Sequence, residues 1–156
     1  MPADAAILPL FPLPLVLFPG ATLPLHIFEP RYRQLFADLR DADHPFGEGR
    51  FGIVLATGGP ERTLPAGHVG CVAEVRDVTA LPDGRLNVVV EGAERFALDR
   101  FLVHPAPYHV AAVMGVRDRP EPCDAGAARA ALHDAAARVR AAFARVARAA
   151  RTIADD

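Results

Sequence analysis

The 156-residue chain contains no serine, no lysine and no tryptophan. Without serine there is no serine nucleophile. Without lysine there is no Schiff-base amine, no general-base lysine and no phosphate-gripping P-loop lysine. All 17 basic side chains are therefore arginine, set against 19 acids for a net charge of −2. That balance draws the chain to neither nucleic acid nor anionic lipid. Cysteine is scarce as well. Cys71 and Cys123 make neither a CxxC pair nor a disulfide framework, so one buried and one surface thiol in a reducing compartment are expected. Hydrophobic residues make up 51% and charged residues 23% of the chain. This is a globular balance, and the length suits one domain or one domain with an appendage. A chain this long buries enough surface to fold without a metal or disulfide staple.

The amino-terminal stretch is the unusual feature. "ILPLFPLPLVLFPG", Ile7 to Gly20, is uncharged, and from Ala5 to Phe28 the only ionisable side chain is His26. About 20 apolar residues would span a bilayer as a helix. Here, however, Pro9, Pro12, Pro14, Pro19 and Pro24 interrupt the run, each costing a helix interior roughly 3 kcal/mol and freeing backbone groups that hydrocarbon cannot satisfy. Met1-Pro2-Ala3-Asp4 lacks the basic start of a signal peptide. A cytoplasmic protein with no membrane segment is expected. Proline favours extended backbone at its own position and the one before. Ile7–Leu10 and Leu13–Phe18 therefore read as short, irregular or edge strands, with a Pro19-Gly20 turn and an extended Thr22–Ile27.

Pro30 is suited to the first position of a helix. Tyr32, Leu35, Phe36 and Leu39 then mark one apolar helical face, ending at Asp41–Pro45. Strands are expected at Phe51–Ala56, Val69–Leu81, Leu86–Glu91, Arg95–Val103 and Tyr108–Val116, with a turn at Pro82-Asp83-Gly84 and a bulge at Gly92. In Val69–Leu81, Cys71, Ala73 and Val75 share one face, and Val72, Glu74, Arg76 and Val78 the other. Such strands around one early helix suggest a curled antiparallel sheet or small barrel. A linker, Arg117–Pro122, leads to an Ala/Arg-rich helix over Ala125–Ala154 capped by Asp124. Leu132, Val139, Val146 and Ile153 recur every seven residues along it, with Ala136, Phe143 and Ala150 between, a weak a/d seam for packing in cis or for self-association. Two domains follow: a β domain, 1–120, and a helical extension, 121–156.

"LPLFPLPLVLFPGATLPLHIFEPRYRQL", Leu8 to Leu35, resembles the amino-terminal domain of the Lon protease family, also found as a stand-alone protein and within cereblon. Weaker matches are "FGIVL", "GHVGCVAEV", "DGRLNVVVEGAERFAL" and "PYHVAAV", so the resemblance runs from Ile7 to about Val116. It implies an α+β protein: a PUA-like antiparallel β pseudo-barrel with one early inserted helix and a C-terminal helical tail. It also implies a part in substrate recognition and protein quality control without ATPase or peptidase. That accords with the missing serine and lysine, since Lon-type proteolysis uses a serine–lysine pair. In the protease a longer helical region and the ATPase follow, whereas this sequence ends at Asp156.

The expected function is a non-catalytic protein- or peptide-binding module, an adaptor for unfolded or damaged client polypeptides. The candidate contact residues are Phe11, Leu13, Leu15, Phe18, Phe28, Glu29, Arg31 and Tyr32. Leu17 belongs to the same apolar set, and a client segment could add as a strand at the sheet edge. Glu29, Arg31 and Tyr32 are read first as a helix start with a core tyrosine. No catalytic residue, metal or cofactor is expected. His26, His68, His104 and His109 match no ligand template, Asp41, Asp43 and His44 read as a solvated helix end, and Glu91 and Glu94 as surface charges. Arg129, Arg138, Arg140, Arg145, Arg148 and Arg151 read as a solvated helix face. The alternative, an RNA-binding module on a PUA-like fold, rests on that arginine face.

Overall fold

In a computed structural model of the chain, residues 5–56, 58, 64–118 and 125–154 are described. Cys123, the Asp124 cap, most of the Thr57–Gly67 loop and most of the linker lie outside them. The chain divides into two compact units, Met1–Arg117 and Asp118–Asp156.

The first unit contains β1 (Ala5–Leu13), β2 (Thr22–Ile27), α1 (Pro30–Asp38), β3 (Arg50–Leu55), β4 (Val69–Ala80), β5 (Leu86–Leu102) and β6 (His109–Gly115). The sheet order is β2-β5-β4-β3-β1-β6, and β5 also pairs with β6. Strand β5 makes this possible by its length. Residues 86–91 carry β2 and residues 96–102 carry β6 on one edge, with β4 along the other. The result is a curled pseudo-barrel rather than a regular closed barrel.

One pair departs from the expected antiparallel arrangement. Strands β1 and β3 run parallel, Leu10 opposite Gly52. The intervening β2 and α1 supply the long crossover that parallel neighbours need. The two short strands expected before Phe18 are instead one, β1, and residues 14–18 leave the sheet. The prolines are tolerated because β1 changes partner midway, from β6 over 5–10 to β3 over 10–13. Each half is thus paired along one edge, where a missing N–H does least harm. Leu86–Glu91 and Arg95–Val103 likewise fuse into the single β5. The register steps from Cys71 opposite Arg95 to Ala73 opposite Gly92, so the bulge at Gly92 bends the strand without ending it. A second bulge, between Val75 and Asp77, resets the alternation in β4. Val78 therefore packs with Val75 and not on the Val72 face.

Both faces of the sheet are covered, which explains why β1 and β3 are continuously apolar. On one side Phe11, Phe51, Ile53, Cys71 and Val90 pack under α1, which contributes Tyr32, Leu35 and Phe36. On the other, Leu10, Val54, Val72, Phe96 and Leu98 form a second cluster. Gly52 and Gly70 make room for the Phe96 ring, because a side chain on either would collide with it. Helix α1 starts at Pro30 with Glu29 as N-cap in extended conformation.

The second unit holds α2, Ala125–Ala154, with Leu132 and Val139 of its seam exposed. Among the described residues no helix is long and apolar enough to cross a membrane.

Candidate functional site

The segment after β1 is tethered at its far end. Phe18-Pro19-Gly20-Ala21 forms a turn closed by Ala21 N–H to the Phe18 carbonyl at 3.0 Å. Proline at the second position and Gly20 at φ +76° at the third are what such a turn requires. The turn docks on β5 through Gly20 N–H to Gly92 O (2.7 Å) and Gly92 N–H to Ala21 O (2.9 Å). A Cβ on Gly92 would collide with the Phe18 carbonyl group. Gly92 therefore serves both the bulge and this close approach, and only the bulge was legible in the sequence.

Held in this way, residues 15–18 wall an apolar groove of about 210 Å³. Leu17 turns inward at 6% exposure, while Val16 (56%) and Phe18 (66%) stay out. The opposite wall is Leu55 at the end of β3 and Val69 at the start of β4, 38% and 50% exposed. Ile53, Gly70, Cys71 and Arg95 complete the lining. Burial raises the Cys71 thiol above its ordinary pKa, so it brings no charge to this side of the groove.

The eight expected contact residues do not form one surface. Leu15 and Phe18 line the groove. Phe11 and Tyr32 are core, 6% and 3% exposed with ring centroids 3.9 Å apart. Phe11 sits on the face of β1 that α1 covers and Tyr32 on the inward side of α1 itself, so both are placed in the core rather than on the surface. Leu13 is half-buried against the same cluster. Phe28 is exposed near His26, their rings 6.3 Å apart. Glu29 accepts from Arg31 Nε at 3.0 Å, and the Arg31 guanidinium lies 4.6 Å from the centroid of the Tyr32 ring. Val16, Leu55 and Val69 were not among the expected residues. No local signal separates them from core positions.

A second hollow, of about 490 Å³, lies beside α1 and is lined by Arg31, Gln34, Asp38, His44 and His104. The His44 side chain faces Asp38 (Nε2 to Oδ2, 3.8 Å) rather than Asp41 or Asp43, and Asp41 Oδ1 instead accepts from the Asp43 N–H at 3.1 Å. Asp38 also accepts from the Tyr108 hydroxyl at 2.6 Å and from Gln34 Nε2 at 2.7 Å. Burial first, then the hydrogen bond to Asp38 and its charge, push the Tyr108 phenol well above its ordinary pKa. Both carboxylate oxygens of Asp38 thus serve structure. Glu91 and Glu94 are paired surface charges, with Arg76 at 3.0 Å and with Arg50 respectively. Among the described residues no three His, Cys, Asp or Glu side chains converge as metal ligands.

The class defined by these features is an α+β domain whose described residues present an apolar groove rather than an acid, base and nucleophile in one place. The chain matches the family model of the ATP-dependent protease La (LON) substrate-binding domain over residues 7–154, and it belongs to that family. Among solved structures it is similar to a Lon N-terminal domain protein from Xanthomonas campestris, at 30% identity and a TM-score of 0.58, over 75% of this chain and 66% of that one. It is also similar in fold to the N-terminal domain of a Mycobacterium avium complex Lon protease, at 17% identity and a TM-score of 0.56, over 74% of this chain and 57% of that one. The match therefore spans just under two-thirds of the first structure and somewhat over half of the second.

Proposed function

We propose that this domain captures extended, apolar segments of unfolded polypeptides in the groove between residues 15–18 and the β3 and β4 ends. It acts as a non-catalytic cytoplasmic adaptor in protein quality control. The observation that carries this is the convergence of Val16, Phe18, Leu55 and Val69, four exposed large apolar side chains, on one cavity. Membership of a substrate-binding family supports the same occupant. The cavity has room for a large side chain but not for a folded surface, which favours an unfolded segment over a native partner. Apolar burial there supplies affinity at about 25 cal/mol per Å², a modest sum that suits transient, sequence-tolerant capture.

The test is fluorescence anisotropy with a labelled, permanently unfolded polypeptide. Val16→Asp and Phe18→Asp should weaken binding at least about tenfold by placing a charge where apolar surface must desolvate. Val103→Asp is the control. Val103 is fully exposed, at 101%, and does not line the groove, so its replacement should leave binding unchanged. Equal binding by all three variants would remove the groove from the account.

A further inference from the structure

Five described arginines of the β unit are answered by carboxylates: Arg31 by Glu29, Arg50 by Glu74 and Glu94, Arg76 by Glu74 and Glu91, Arg85 by Asp83, and Arg100 by Asp99. Arg33 and Arg40 are different. Among the described residues neither has an ion-pair partner, yet both line one hollow of about 370 Å³ between α1 and the β4–β5 turn. No carboxylate lines it. Of the acids nearby, Asp38 accepts from Tyr108 and Gln34, Asp41 from the Asp43 N–H, and Asp83 from Arg85.

The two guanidinium groups belong to one helical face. Leu39 keeps helical dihedrals (φ −63°, ψ −21°) and the Arg40 N–H reaches Ala37 O at 3.2 Å, so the helical path continues to Arg40. Seven residues are two turns, about 10 Å along the axis. At one end Arg33 rests against Gly84, where any side chain would collide with its guanidinium. Gly84 sits at φ +82° in a turn held by Gly84 N–H to Leu81 O (2.9 Å) and Leu81 N–H to Arg85 O (2.8 Å). The turn thus leaves space beside it for the exposed Arg33 guanidinium. The rest of the lining is mixed, with Pro30, Phe36, Ala37 and Leu86 apolar and Gln34 polar. An arginine near a helix C-terminus also complements the helix dipole, but that accounts for Arg40 alone and not for Arg33.

We propose that this hollow is a binding site for a small oxyanion carrying several negative charges along a short chain, an oligophosphate or a polycarboxylate, with one guanidinium on each end. Planar guanidinium forks suit both oxyanion types. The site is separate from the apolar groove, so ligand and client need not compete.

The test is isothermal titration calorimetry of the full chain at about 0.01 M ionic strength, where screening is weak. The probes are tripolyphosphate and citrate, with acetate as the singly charged control. Saturable binding of at least one polyanion is expected, and the tighter of the two identifies the phosphate or the carboxylate source. Arg33→Gln and Arg40→Gln should each weaken it about tenfold, the size of one lost charged hydrogen-bonding contact. The double variant should lose it, and Arg117→Gln, outside the hollow, should not change it. Thermal unfolding of each variant confirms that it is folded. The proposal is overturned if neither polyanion binds, if acetate binds as tightly, or if the folded double variant binds like the parent.

Discussion

Replacing Gly70 by alanine puts a methyl group where the sheet has no space for one. Its Cβ would lie 2.7 Å from the Ile53 carbonyl oxygen and 2.8 Å from Val54 Cγ1, and would collide with the tip of the Phe96 ring. Ordinary contacts of this kind begin near 3.4 Å. Overpacking of a filled core costs about 1–3 kcal/mol. The upper part of that range is expected here, because Ile53 O belongs to the β3 backbone paired with β4. Gly52→Ala is the informative partner. Its Cβ would meet only side-chain ends, Leu10 Cδ2 at 2.6 Å and Phe96 Cζ at 2.7 Å. Adding Phe96→Leu should therefore relieve much of the Gly52→Ala penalty, a coupling of about 0.5–3 kcal/mol in the double-mutant cycle. It should relieve little of the Gly70→Ala penalty. Denaturant unfolding measures each free energy, and for a cooperative unit of this size each kcal/mol lowers Tm by about 4 °C. A Gly70→Ala variant with unchanged stability would refute the packing of Phe96 between β3 and β4. Equal rescue of both alanines by Phe96→Leu would refute the assignment of the Gly70 clash to backbone.

Three further outcomes follow from the same geometry. Tyr108→Phe removes the 2.6 Å hydrogen bond to Asp38 and should cost about 1.5–3 kcal/mol in a denaturant titration, the usual worth of a hydrogen bond to a charged group. Because the folded-state pKa of Tyr108 is raised, its contribution is fully present below the unfolded phenol value of about 10 and is lost as pH rises above that. Stability measured between about pH 9 and 11 should therefore fall less steeply in Tyr108→Phe than in the parent. Cys71, 1% exposed, should react with a thiol reagent only as fast as the protein opens, which a Cys123→Ala variant followed by absorbance would report, whereas rapid stoichiometric labelling would contradict its burial. If α2 self-associates through its heptad seam, Val139→Asp, at a 62% exposed seam position, should lower the sedimentation coefficient of the parent to that of a monomer. Identical sedimentation of the two would exclude the seam.

Local chemistry made much of the fold readable. The Thr22–Ile27 strand, the Pro30 helix start, the Pro82-Asp83-Gly84 turn and the Ala125–Ala154 helix are each specified by residues within a turn or two of one another. What could not be read depends on contacts between distant segments. Whether β1 is one strand or two is decided by β3 and β6, which share it at Leu10. Val78 changes face because of a bulge against β5. The groove shows the same limit more sharply. Leu15 and Phe18 could be suspected from a proline-bearing apolar run. Apolar residues at strand ends are common, however, and nothing near Leu55 or Val69 in the sequence marks them as walls. They become so only because the Gly92 bulge anchors the Phe18 turn across them. Phe11 and Phe18 illustrate the point within one segment: the same residue type seven positions apart, one 6% and the other 66% exposed.

The most direct test of the central claim is an NMR titration of the isotope-labelled chain with an unfolded, apolar polypeptide, following backbone amide shifts. Perturbations clustered at residues 15–18, 53–55 and 69–71, and abolished by Phe18→Asp, are the predicted result. Perturbations clustered around Phe28 and the start of α1, with residues 15–18 and 69–71 unmoved, would contradict it.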